Sequence, residues 1–138
     1  MLRRSARIEL LRRVPLFEHC SQAELRRIAQ RVDELALPAG RRLTREGDPA
    51  REFLVLVGGS AEVSQRGKRL RVLGGGDFLG ELALVAGTPR TATVTALTPV
   101  EVLRLTARDF RALMRDVPSL QLKVLQALAS RLDEPEFV

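Results

Sequence analysis

Aromatic residues are nearly absent from this 138-residue chain, which has five phenylalanines, no tryptophan and no tyrosine. That scarcity argues against a surface that stacks the bases of single-stranded nucleic acid. Cysteine occurs once, at Cys20, which excludes an internal disulfide and a thiolate zinc site. Cys20 reads as a small, partly buried hydrophobe. Histidine also occurs once, at His19 in a loop, so a metal-binding barrel has no ligand set. No histidine–carboxylate or cysteine–histidine pairing is legible for acid–base or nucleophilic chemistry, so the chain is expected not to be an enzyme. No apolar run approaches the ~18 residues needed to span a membrane. The basic start Met1-Leu2-Arg3-Arg4 is followed by further charges before an apolar targeting segment can form, and the expected location is cytoplasmic.

What is present is a composition of 45% hydrophobic and 29% charged residues, that of one soluble globular domain burying roughly two-thirds of its unfolded surface. Residues 1–138 are therefore read as a single domain: helices over 1–33, a β-barrel over 34–105 and helices over 106–134. The formal net charge of +6 raises the question of nucleic acid. The arginine pairs at 3–4, 12–13, 26–27 and 41–42 are interleaved with apolar positions, as solvated faces are, so no direct nucleic-acid binding is expected.

From about Ser5 to Leu35 the pattern is helical: Ile8, Leu11 and Leu16 precede Leu25, Ile28, Ala29 and Val32. Ser21-Gln22-Ala23-Glu24 carries a capping-box signature, and Pro15-Leu16-Phe17 separates the two helices. Short β-like segments with Gly and Pro turns then follow: 35–37, 42–45, 52–57, 61–64, 69–73, 91–97 and 100–105. The fold class is α+β, mainly β: an antiparallel jelly-roll barrel with one inserted helix, flanked by N-terminal and C-terminal helices. Thr106 caps a helix carrying Phe110, Leu113 and Met114, and after Val117-Pro118 another carries Leu120, Leu122, Val124, Leu125, Leu128 and Leu132.

The interruption lies within 76–94. A loop with Gly74, Gly75 and Gly76 leads through Gly80 into the helix-favouring run Glu81-Leu82-Ala83-Leu84-Val85-Ala86, which Gly87 and Pro89 end. Unpaired N–H groups at a helix start, and a glycine that admits close approach, suit a phosphate. Arg90 follows Pro89 in a restricted turn, and its planar fork matches phosphate oxygens. A carboxylate at Glu81 would repel phosphate but can accept a hydrogen bond from a sugar hydroxyl. The P-loop is excluded, since Gly67-Lys68 is followed by Arg69.

Phe78-Leu79-Gly80-Glu81-Leu82-Ala83 followed by Pro89-Arg90-Thr91-Ala92-Thr93-Val94 resembles the phosphate-binding cassette of the cyclic nucleotide-binding domain family. That family includes regulatory subunits of cyclic nucleotide-dependent kinases, gated channels and bacterial catabolite activators. The resemblance implies that amides near Gly80, Leu82 and Ala83 line the cassette and that Glu81 takes the ribose 2′-hydroxyl. By the same resemblance Arg90 holds the cyclic phosphate, with Thr91 and Ala92 beside it. The base and sugar wall would be Val63, Leu70 and Leu73, with the stem of Arg71. Leu128 and Arg131 are placed as a base cap; the alternative makes Leu128 core and Arg131 a solvated helix-end charge. The implied ligand is a regulatory cyclic nucleotide rather than a cofactor, cAMP before cGMP, although the Thr91 hydroxyl permits either. A homodimer or a partner protein would be reached through the C-terminal helices. The alternatives are the sensor part of a transcription regulator and a nucleotide-free jelly-roll interaction module.

Overall fold

The computed structural model describes residues 4–80 and 87–131, in which two helices precede eight strands and two helices follow them. Helix α1 (Arg4–Arg12) leads through a 3-10 turn at Pro15–Phe17 to α2 (Gln22–Ala29). The capping box forms as its residues dictate: the Ser21 hydroxyl accepts from the Glu24 amide at 3.1 Å, and the Glu24 carboxylate accepts from the Ser21 amide at 2.8 Å. Helix α2 stops at Ala29, earlier than the helical pattern extending to about Leu35, and β1 (Asp33–Leu37) takes in the β-like segment expected at 35–37. Five residues of β1 pair antiparallel with β8 (Val100–Thr106), and Asp33 meets Arg104 at 3.0 Å. Tertiary pairing overrides the local pattern there.

The remaining strands are β2 (Arg42–Thr44), β3 (Glu52–Gly58), β4 (Ala61–Gln65), β5 (Lys68–Leu73), β6 (Phe78–Leu79) and β7 (Thr93–Ala96). They form two antiparallel four-stranded sheets, ordered β1-β8-β3-β6 and β2-β7-β4-β5. Strand β6 was not distinguished in the sequence, where Phe78 and Leu79 read as part of the cassette. Thr91 and Ala92, expected in a strand, precede β7.

Burial explains the patterns. In β3, Phe53, Leu54, Val55 and Leu56 are all buried, because the first sheet is covered on both faces. Leu54 and Leu56 join Val63, Leu73, Ala92, Val94 and Val102 between the sheets. Phe53 and Val55 meet Leu11, Phe17, Ile28, Phe110, Leu113 and Leu120 under the helices. The Phe53 and Phe110 rings stack at 4.8 Å, and Phe78 lies 5.7 Å from Phe53. The described aromatics thus serve the core.

Helix α3 (Ala107–Asp116) begins on Thr106, whose hydroxyl accepts from the Asp109 amide at 3.1 Å, and Pro118 opens α4 (Pro118–Arg131). Leu120 and Val124 of α4 are buried, while Leu122 and Leu125 are exposed. Polar contacts tie the two helical ends of the chain together. The Ser119 hydroxyl donates to Glu24 at 3.2 Å, Arg31 meets Asp109 at 2.7 Å, and Lys123 bonds Glu18. His19 sits beside Glu18 at 3.5 Å on the surface. Among the described residues no helix is long and apolar enough to cross a membrane.

Candidate functional site

Strand β6 pairs with β3 so that Leu79 faces Leu54 and the inter-sheet core, and the chain then turns at Gly80 with φ +100°. A side chain is excluded there for two reasons. The backbone lies in the left-handed region, and a Cβ would fall 2.9 Å from the Glu52 carbonyl and run into the Arg90 guanidinium. Gly80 and Arg90, ten residues apart, are therefore in contact, as the cassette pattern expects.

Arg90 is only 8% exposed. Its backbone is held on both sides by the β2–β3 loop: its amide donates to the Asp48 carbonyl and its carbonyl accepts from the Gly47 amide, each at 2.9 Å. The next two carbonyls are held as well, that of Thr91 by the Gln65 carboxamide at 3.0 Å and that of Ala92 by the buried Thr44 hydroxyl at 3.1 Å. Three consecutive carbonyls are thus pinned by three separate elements. The backbone after Pro89 is therefore held from several sides.

The Arg90 guanidinium donates to the Glu52 carbonyl and, among the described residues, makes no ion pair. The Glu52 carboxylate is turned to Arg104, 3.6 Å away. Burial lowers the pKa of Arg90, partly offset by the charge of Glu52, yet a guanidinium keeps its proton. A buried cation whose direct partner is a neutral carbonyl has lost hydration with only the nearby charge of Glu52 to offset it, an arrangement suited to receiving an anion.

Val63 and Leu73 are buried in the inter-sheet core, and Leu70 packs half-buried against it. In a regular strand Leu70 and Leu73 would point to opposite faces. A bulge settles this: Val63 pairs with Arg71 and Ser64 with Arg69, leaving Leu70 as the extra residue. Arg71 stands opposite Val63 and so shares its inward face, with its Nε buried. Leu70 and Arg71 are thus the half-buried members of the expected wall, and Val63 and Leu73 are its backing.

Glu81, Leu82, Ala83 and the helix expected over 81–86 lie outside the described residues. So do the side chains of Leu128 and Arg131. Sequence reasoning missed the carbonyls of Asp48 and Glu52, which carry no side-chain signature. It also missed Gln65, the last residue of β4, whose place just before the Arg66-Gly67 turn was the only available signal.

The family model described as the cyclic nucleotide-binding domain matches residues 34–117. Among curated proteins, the chain is 33% identical over 127 residues to a cyclic nucleotide-gated potassium channel of Rhizobium etli, covering 92% of this chain and 36% of that protein. It is 34% identical over 125 residues to the cAMP-dependent protein kinase regulatory subunit of Neurospora crassa, covering 89% and 32%. Among solved structures, the regulatory domain of Toxoplasma gondii PKA with cAMP superposes with a TM-score of 0.81 at 27% identity, over 94% of this chain and 50% of that one. The chain spans about a third of the length of the curated relatives it matches.

Proposed function

The chain belongs to the cyclic nucleotide-binding domain family, and from that premise we propose that it is a non-enzymatic, cytoplasmic receptor module for cAMP. Arg90 takes the cyclic phosphate together with the amides near Gly80, Leu82 and Ala83. Glu81 accepts from the ribose 2′-hydroxyl. Thr91 and Ala92 adjoin the phosphate, Leu70 and Arg71 offer the base a surface backed by Val63 and Leu73, and Arg131 closes over it. One observation carries this reading: the Arg90 guanidinium is buried against Gly80 with a carbonyl and, among the described residues, no carboxylate as its partner. The preference for cAMP draws on the cAMP-dependent kinase subunit and the cAMP-bound regulatory domain among the relatives.

Signalling is a population shift. A ligand that engages Arg90 biases the cassette and through it the helices 107–131, by no more than its differential affinity for the two arrangements. Those helices then act on a partner protein or on a second copy of the chain.

Isothermal titration with cAMP, cGMP and 5′-AMP in parallel tests the proposal. Saturable binding of a cyclic nucleotide over 5′-AMP is expected, with cAMP the tighter of the two. Arg90→Ala is expected to weaken it by roughly 2–3 kcal/mol, a factor of about 30–150, if the phosphate is desolvated there. An unchanged dissociation constant removes Arg90 from the site. No binding by nucleotide-free, folded protein leaves a jelly-roll interaction module.

A further inference from the structure

A groove of about 640 Å³ runs between β2 and the loop leading into β3. Of the described residues assigned above to the nucleotide, only Arg90 lines it. The rest of its wall carries Arg41, Arg42, Arg45 and Arg51, all exposed, and among the described residues none of the four is in an ion pair. The opposing charges are Asp48 and Glu52, and the Glu52 carboxylate is already shared with Arg104. Arginines from two separate stretches of sequence are thus gathered around one concavity with a clear positive excess.

The floor is equally specific. β2 is the terminal strand of its sheet, so among the described residues one side of its backbone has no strand partner. We propose that this groove is a docking site for an acidic, extended polypeptide segment of a partner, which adds to the β2 edge through its main chain while its carboxylates pair with Arg41, Arg42, Arg45 and Arg51. Strand addition supplies affinity through backbone hydrogen bonds, and the charges supply choice of partner and register. A nucleic acid fits less well. The described lining has no aromatic ring to stack a base and no Asn or Gln to read one, and the charged stretch is about one short strand long. Arginines serving only to keep the edge from self-pairing would bind no such segment.

The proposed contacts differ from those of the nucleotide reading, because the four arginines do not enter it and Arg90 is shared only as part of the groove's lining. The test is fluorescence anisotropy with a labelled glutamate-rich peptide of about eight residues at ~0.15 M salt, where long-range attraction is largely screened. Saturable binding is expected. Arg42→Glu with Arg45→Glu should weaken it about tenfold or more, and Arg42→Gln with Arg45→Gln by less. Both double variants should keep the parent melting temperature and the parent response to cyclic nucleotide. A peptide with proline at alternate positions, deprived of main-chain donors, should bind several-fold more weakly. No saturable binding, equal binding by the parent and the charge-reversed variant, or indifference to the prolines would overturn the proposal. So would displacement of the peptide by a thymine oligonucleotide that binds more tightly.

Discussion

A methyl group added at Gly80 would meet both the carbonyl that holds Arg90 and the guanidinium itself. Gly80→Ala is therefore expected to cost about 1–3 kcal/mol in thermal or denaturant unfolding, from the φ of +100° and the displaced arginine together. It should also abolish cyclic nucleotide binding even where the protein still folds. Cys20 lies at the other extreme of reactivity. Burial, with the neighbouring Glu24 charge, pushes its thiol up to about 11. Alkylation by iodoacetamide at neutral pH should consequently be much slower than for a peptide thiol, and should reach the peptide rate on unfolding. The contact between Gly80 and Arg90 was legible, because the motif needs a glycine and an arginine close in space. The carbonyls beneath them were not, since every residue has one and only the fold decides where it points.

Among the elements, the start of α2 does two jobs. Glu24 closes the capping box on Ser21 and also accepts from Ser119 at the start of α4. Removing the carboxylate therefore affects a helix start and an inter-helix contact together. Glu24→Ala is expected to cost about 1–2 kcal/mol in denaturant unfolding, and Ser119→Ala less. The double variant should lose less than the sum, with a coupling of about 0.5 kcal/mol or more, and strict additivity would show the contact to be idle. The caps at Ser21 and Thr106 were readable in advance because capping is written in side chains three residues apart. Strand β6 was not readable, since two apolar residues between glycines give no period to detect. Nor was the bulge at Leu70, an effect of pairing with β4 rather than of its own neighbours.

At the scale of the molecule, both helical ends cover one face of the first sheet, and the Lys123–Glu18 contact spans them. A hydrogen bond from Lys123, and then its charge, holds the Glu18 carboxyl below the ordinary glutamate value. A carboxyl depressed in the folded state stabilises above its unfolded pKa and loses that contribution as pH falls through the folded value. Lys123→Met should therefore lower the melting temperature at neutral pH. The difference should shrink as the pH drops below about 4.3, and the Glu18 resonance of the variant should titrate in the ordinary range. Opposite behaviour, with a gap that widens in acid, would show the contact to be unimportant. The mainly β architecture was visible in short β-like segments separated by frequent Gly and Pro turns. What sequence spacing concealed was that Arg41, Arg42 and Arg45 share one groove with Arg51, which follows only from the fold of the chain between β2 and the start of β3.

The strand order β1-β8-β3-β6 has a temporal consequence. Strand β8, among the last strands to be synthesised, lies between β1 and β3, which were made some 40 to 70 residues earlier. Until residues 100–106 have left the ribosome, β1 and β3 have no strand to join them, and the apolar run at 53–57 waits exposed. The many distant pairings predict a folding time in the slower, millisecond-to-second range.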